Sequence, residues 1–184
     1  AHSPATAQRW MIGFPTERTP FQSVSWQLPP EKGQRRGKTE EHVALADEVW
    51  HAGDIGGLEV TDTIQKLKPL RAVYGNIDDA KTRTVFPLHQ KFYCEEVTVW
   101  ITHIGGYPGK YHPDIREALK RNTPQLFICG HSHILKVMPD KKLSLIHMNP
   151  GAVGKHGLHQ VRTMLRFEID GKKIQNLEVI EIKR

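Results

Sequence analysis

The feature that most constrains the fold is a short apolar segment followed directly by a glycine-containing polar motif, found four times after residue 45. The motifs are His51-Ala52-Gly53-Asp54-Ile55-Gly56, Gly75-Asn76-Ile77-Asp78, Thr102-His103-Ile104-Gly105-Gly106 and Gly130-His131-Ser132-His133. Each apolar segment has the length of a buried strand. Because ligands bind beyond the carboxyl ends of strands in open α/β sheets, we expect the four motifs to form one site at those ends.

The other apolar patterns place these motifs in a layered architecture. Helical spacing predicts helices over residues 58–67 and 112–121. Predicted strands cover residues 47–51, 70–74, 92–94, 97–102, 126–129, 135–138 and 143–147, with a turn at 139–142 and a C-terminal hairpin of 163–169 and 174–182. Alternating strands and helices followed by hairpins indicate an α/β/β/α sandwich, in which two mixed β-sheets are flanked by helices.

The 184 residues suit a single domain whose first quarter differs from the rest. Residues 1–44 hold five of the twelve prolines and are predicted to be loop-rich, with strand patterns only at 10–14 and 21–28. Residues 45–184 carry the regular pattern. We therefore expect one domain over 1–184 with an atypical N-terminal segment.

Charge and cysteine usage limit the classes of function. Lys and Arg total 26 against 20 Asp and Glu, but they are scattered, so nucleic-acid binding is not favoured even at Arg35, Arg36 and Lys38. The chain has no apolar run of about 18 residues, which excludes a spanning helix. Cys94 and Cys129 are too few for a disulfide framework, and the N-terminus has no signal pattern. We expect a cytoplasmic protein with no membrane contact.

Histidine is over-represented, with 11 in the chain, and imidazole is the commonest metal ligand. Asp54 and Asn76 offer hard oxygen ligands. His103, His131 and His133 offer nitrogen ligands. This mixed set suits Mn, Fe, Zn or Ni and also allows Mg, and we expect one or two ions per chain, with Mn favoured. If residues 131–133 are extended, His131 and His133 face one side and can reach two ions about 3.5–4 Å apart.

The motifs in this order resemble those of the calcineurin-like metallophosphoesterases, especially the small bacterial and archaeal phosphodiesterases. The resemblance runs from near Ala46 to the end and includes Asn149-Pro150-Gly151. It implies that Asp54 is a carboxylate bridging two metals. The further ligands of one metal would be Asn76, His103 and His131, and His133 would be a ligand of the second metal. It also implies catalysis by Asp54, Asn76 and His103, with Asn76 touching the substrate phosphate. The implied reaction is hydrolysis of a small phosphodiester by metal-activated hydroxide.

The sequence departs from the family in two places. The family's first strand ends in Asp-x-His, and no Asp in this chain is followed two residues later by His. Three explanations are open: a one-metal or inactive relative, an N-terminal sequence that is not the natural one, or substitution by another side chain. The candidates for substitution are His2, Glu40, Glu41 and His42. At Ile77 many members carry a histidine that protonates the leaving group, and its absence favours good leaving groups.

Several residues admit a second interpretation. Asp54 can be an N-cap for the helix that begins at residue 58. Asp78 and Asp79 are favoured as turn or N-cap residues rather than ligands. Lys155 and His156, close to the Asn149 turn, either contact a substrate phosphate or belong to a solvated loop.

Three functions compete at this stage. A metal-dependent phosphoesterase acting on a small phosphoester explains the ligand set. A scaffold of the same fold, acting through protein contacts, explains the missing Asp-x-His. A purely structural metal site would make folding depend on the metal. The oligomeric state is open, and the second sheet allows a homo-oligomer.

Overall fold

The computed structural model describes residues 8–13, 38–154 and 161–183. The strands are β1 Gln8–Gly13, β2 Glu48–Ala52, β3 Leu70–Val73, β4 His89–Cys94, β5 Val97–Thr102, β6 Gly106–Tyr107, β7 Lys110–Tyr111, β8 Leu126–Ile128, β9 Leu135–Asp140, β10 Leu145–Pro150, β11 Val161–Asp170 and β12 Lys173–Lys183. The helices are α1 Lys38–Ala44, α2 Leu58–Leu67, α3 Ala80–Val85 and α4 Pro113–Arg121. No helix of the described residues is both long and apolar enough to cross a membrane.

Ten of these strands form two five-stranded sheets. Sheet A has the order β12-β11-β1-β2-β3, and sheet B has the order β4-β5-β8-β10-β9. In sheet A, β1, β2 and β3 are parallel, as are β5, β8 and β10 in sheet B, while β11 and β12 in sheet A and β4 and β9 in sheet B pair antiparallel with their neighbours. Both sheets are therefore mixed, and each has three neighbouring parallel strands whose carboxyl ends point the same way.

The core has the predicted four layers. Trp50 and Leu126 belong to the buried cluster between the two sheets. Val43 of α1 packs with Val49 on the outer face of sheet A, and Leu119 of α4 packs on the outer face of sheet B. Each fully buried side chain of this size stabilises the fold by roughly 1.5–3 kcal/mol. The α/β/β/α sandwich is confirmed.

The element predictions are confirmed for the long segments and wrong for some short ones. The helix over 58–67 has the predicted bounds, and the strand predicted at 10–14 is β1. The prediction at 21–28 lies outside the described residues. Helices α1 and α3 and the β6-β7 pair are additional elements, each too short to show a period in the sequence.

The turn predicted at 139–142 is wrong. β9 continues through Pro139 to Asp140, and the turn occupies residues 141–144. An edge strand accepts proline because one side of its backbone has no neighbouring strand to bond. The Asp140 carboxylate then closes the turn by accepting the N–H groups of Lys142 at 2.9 Å and Leu143 at 3.2 Å.

Candidate metal centre at the strand ends

Four of the five predicted ligands come together where β2, β3, β5 and β8 end. His103 Nε2 lies 3.1 Å from Asp54 Oδ1 and 2.9 Å from Asn76 Oδ1. The same Asn76 oxygen lies 2.9 Å from His131 Nδ1. Sheet A therefore supplies the two oxygen donors, and sheet B supplies the two imidazoles.

The hydrogen bonding of His103 tests whether this cluster suits a cation. Its Nδ1 lies 2.8 Å from the Ala52 carbonyl oxygen, which can only accept, so Nδ1 carries a proton and donates it. In a neutral ring Nε2 then has a lone pair, which faces the oxygens of Asp54 and Asn76. A cation bound among these atoms would relieve the repulsion between the nitrogen lone pair and the two oxygens. A backbone carbonyl that fixes the tautomer is also the usual support of a metal-binding histidine.

The four side chains of the cluster differ in burial. Asp54 and His103 are buried, whereas Asn76 and His131 are exposed, so the site opens to solvent on the side of the latter pair. Burial works to raise the pKa of Asp54, but the His103 imidazole and the Ile77 N–H outweigh it and lower this pKa. Partial burial, followed by the nearby His103, lowers the pKa of His131. Asp54 is thus held ionised and His131 neutral, the forms that bind metals.

Two glycines make the close approach of the loops feasible. A Cβ on Gly75 would lie 2.0 Å from Asp54 Oδ1 and 2.2 Å from the Asp54 nitrogen. A Cβ on Gly53, whose φ is +96°, would lie 2.6 Å from His103 Nδ1. The predicted role of small residues beside the ligands is therefore seen at both positions.

The loop after β8 corrects one expectation. His131 and His133 have φ values of +66° and +57°, so residues 131–133 form a left-handed turn rather than an extended segment. The Ser132 N–H donates to the Gly130 carbonyl at 2.7 Å. Asn149 Nδ2 holds the turn by donating to the Gly130 carbonyl at 2.9 Å and to Ser132 Oγ at 3.0 Å. The Asn149-Pro150-Gly151 segment lies beside the site, and its supporting contact was not evident from the sequence.

The remaining predicted site residues have different outcomes. His133 lies close enough to His131 to contribute to lowering its pKa, and its role as a ligand stays a prediction. Lys155 and His156 lie outside the described residues. Within the described ranges, no group of three or more His, Cys, Asp and Glu side chains is arranged to hold a metal, and the Asn76 amide is what links the two imidazoles.

The alternative interpretations of the aspartates are settled by their contacts. Helix α2 is capped by Gly57, so the N-cap interpretation of Asp54 is wrong. Asp79 caps α3 by accepting the Thr82 N–H at 2.8 Å, as favoured. Asp78 is a turn residue, as favoured, but its carboxylate also reaches the loop of Asp54. The bond from the Gly56 N–H to Asp78 joins residues 22 positions apart, so no local sequence pattern predicts it.

The end of β1 is where the family motif is missing. Gly13, the last residue of β1, pairs with His51 on β2, so β1 ends beside the Asp54 loop. In the sequence Phe14 and Pro15 follow, and neither has a side chain that binds metals.

Of the candidate substitutes, His42 is at the wrong end of the sheet. Its carbonyl accepts the Leu45 N–H just before β2 begins, whereas Asp54 follows the far end of this strand. Five strand residues separate the two ends by about 17 Å. His2 lies outside the described residues. Glu40 and Glu41 directly precede His42 in α1, so the same distance argues against them.

Comparisons with known proteins agree with this architecture. The profile of the calcineurin-like phosphoesterase superfamily domain matches residues 32–172. Vps29 of Chaetomium thermophilum is 14% identical, with a TM-score of 0.68 over 96% of this chain and 97% of that one. Zinc-complexed Vps29 of Entamoeba histolytica is 13% identical, with a TM-score of 0.66 over 96% and 99%. An archaeal phosphodiesterase is 16% identical, with a TM-score of 0.64 over 95% and 100%. No curated protein sequence matches the chain significantly.

Proposed function

The chain belongs to the calcineurin-like phosphoesterase superfamily, and from that premise we propose that it is a metal-dependent phosphodiesterase acting on a small substrate. The observation that carries the proposal is the meeting of the Asp54 and Asn76 oxygens at His103 Nε2. Such a set of electron-pair donors is costly to bury unless a positive charge lies among them.

The residues that would hold the ion are Asp54, Asn76, His103 and His131. When bound, a divalent cation supplies a Lewis acid for phosphoryl oxygens and lowers the pKa of coordinated water. We propose one tightly held ion per chain, because the second position lacks the Asp-x-His pair. Mn is our first choice, and Zn, Fe, Ni and Mg suit the same donors less specifically.

Hydrogen bonds within the protein orient the side chains that would bind the ion and the substrate. Asp54 is ionised and buried, and the Ile77 N–H fixes its orientation by donating to Oδ1 at 3.2 Å. The Ala52 carbonyl orients the His103 ring. The exposed Asn76 turns its oxygen to the imidazoles, so its amide nitrogen can donate to a phosphoryl oxygen where charge develops.

Ile77 defines the substrate class further. Its backbone N–H binds Asp54, while its apolar side chain is 37% exposed next to Asn76. An isoleucine cannot protonate a leaving group, a step worth about 10²–10⁴ in rate. We therefore propose diesters whose leaving groups depart readily as anions.

A protein-binding scaffold is the second candidate function. It is favoured by the end of β1, where Gly13, Phe14 and Pro15 stand in place of the family's ligands. The cluster of Asp54, Asn76, His103 and His131 argues against it, since a scaffold has no physical need for converging ligands. A cytoplasmic location without membrane or nucleic-acid contact, and a homo-oligomer, also stay proposals.

The test is hydrolysis of bis(4-nitrophenyl) phosphate by Mn-loaded protein, with 4-nitrophenyl phosphate as the competing monoester. We expect turnover of the diester above that of the monoester, and loss of both activity and bound metal in His131→Ala. The control is His112→Asn, which removes a partly exposed imidazole near His131 but keeps a side chain able to cap α4. Wild-type rates in His131→Ala would refute the proposed site.

A further inference from the structure

The carboxylate of Asp78 spans two of the ligand loops. Its Oδ2 accepts the Gly75 N–H at 2.7 Å, and its Oδ1 accepts the Gly56 N–H at 2.9 Å. The residue is only 4% exposed. Gly75 immediately precedes Asn76, and Gly56 lies two residues after Asp54, so one buried group is bonded to the backbone of both loops.

These two bonds have a mechanical consequence because a third bond joins the same loops. The Ile77 N–H donates to Asp54 Oδ1, so the loops are tied through the backbone by Asp78 and through the ligand itself by Ile77. Bonds from N–H groups to a carboxylate are about twice as strong as those between neutral groups. Asp78 therefore adds a second charge-assisted bond between the Asp54 loop and the Asn76 loop, at 2.9 Å beside the 3.2 Å bond of Ile77.

Arg83 supports the same loop from helix α3. Its Nε donates to the Asp78 carbonyl at 2.8 Å, and its Nη2 donates to the Asn76 carbonyl at 3.0 Å. The guanidinium fixes the backbone on either side of Ile77. The turn that carries Asn76 is thus held at the Gly75 N–H by the Asp78 carboxylate and at two backbone carbonyls by Arg83.

We propose that Asp78 is a positioning residue, which sets the spacing between the Asp54 and Asn76 oxygens and thereby the affinity of the centre for a divalent cation. The inference rests on the proposed function, because it assigns Asp78 a role toward the metal of that site. A residue that only closes its own turn would hold Gly75 and leave the position of Asp54 unaffected.

The decisive variant is Asp78→Asn, which keeps the shape of the side chain but replaces one accepting oxygen with an amide nitrogen. One of the two N–H bonds is then lost. Asp79→Ala is the matched control, because Asp79 caps α3 in the neighbouring position and makes its cap bond to Thr82 rather than to either loop. Both changes weaken the local fold, but only the first changes the connection between loops.

The first readout is amide hydrogen exchange measured by NMR on metal-free protein. We expect the Ile77 amide, which is bonded to Asp54 and not to Asp78, to exchange at least about tenfold faster in Asp78→Asn. In Asp79→Ala it should exchange as in the wild type after normalisation to the amides of β2. Unchanged Ile77 exchange in Asp78→Asn would overturn the proposal, with or without a bound metal.

The second readout is Mn titration of each protein. Loss of an outer-sphere support weakens metal affinity by about 10–100-fold, and we expect a loss in this range for Asp78→Asn only. Equal affinities in wild type and Asp78→Asn would also overturn the proposal. A wild type that binds no Mn would instead refute the proposed function, and the Ile77 exchange would still decide the role of Asp78. If Asp78→Asn does not fold, Asp78→Glu is measured in its place, with the same expected changes, because the longer side chain moves the carboxylate away from the Gly56 and Gly75 N–H groups.

Discussion

The ends of β2 and β1 lie side by side in sheet A, but only the end of β2 is followed by a side chain that can bind a metal. Asp54, beyond β2, is a buried carboxylate that accepts the Ile77 N–H and lies 3.1 Å from His103 Nε2. At the end of β1, Gly13 is followed in the sequence by Phe14 and Pro15. Yet β1 still pairs with β2 and β11 over most of its length. The backbone bonds of β1 therefore hold its place in the sheet without metal-binding side chains directly after it.

The comparison separates a proposed metal position that is complete from a proposed one that is incomplete. The complete position is the cluster of Asp54, Asn76, His103 and His131. The incomplete position comprises His133 and the end of β1, and it shares Asp54. If this division is correct, substitutions in the first set should be far more damaging than those in the second.

The largest effect is expected for His103→Ala. The change removes a proposed ligand and leaves the Asp54 carboxylate buried without its imidazole, which costs about 1–3 kcal/mol of stability. We expect diester hydrolysis to fall to the background rate, together with the loss of bound Mn. Retained Mn stoichiometry in the folded variant would contradict the assignment of this residue to the complete position.

Gly75→Ala should be the next most damaging change. Its new Cβ would fall 2.0 Å from Asp54 Oδ1, so the carboxylate must move, and overpacking of this kind costs roughly 1–3 kcal/mol. We expect activity to drop by about 10²-fold. Gly109→Ala is the control, because its φ is +86° but no atom lies within 4 Å of its Cβ. That variant should lose stability through backbone strain and keep its activity, as measured by denaturant unfolding beside a diester assay.

Metal removal should have a moderate effect on stability. An ion present at 100 times its dissociation constant stabilises a protein by about 2.7 kcal/mol. For a domain of this size that corresponds to a melting temperature higher by about 5–10 °C. We expect EDTA to lower the melting temperature by this amount and to leave a cooperative transition. Complete unfolding by EDTA at room temperature would favour a structural metal site instead.

The smallest effect is expected for His133→Ala, which tests the incomplete position alone. With no Asp-x-His partner in the sequence, His133 has too few companions to hold a second ion firmly. We expect the Mn stoichiometry to be unchanged and the diester rate to fall by less than tenfold. A loss as large as that of His103→Ala would remove the distinction between the two positions.

Much of the fold was predictable because the long elements have a clear period and the ligands directly follow strands. Helix α2 and the meeting of Asp54, Asn76, His103 and His131 are examples. The left-handed turn of His131 and His133 was not predictable, since a non-glycine residue adopts this conformation only under tertiary constraint. The contact of Asp78 with Gly56 was also hidden, because it depends on how two separate loops pack.

The most direct test of the account is the metal content per chain, measured by elemental mass spectrometry after re-equilibration with Mn and removal of free ion. The account predicts one equivalent in the wild type and in His133→Ala, and none in His103→Ala. Two equivalents in the wild type would show that the position beside β1 is complete after all. No bound metal in the wild type would contradict the proposed metal-dependent hydrolysis itself.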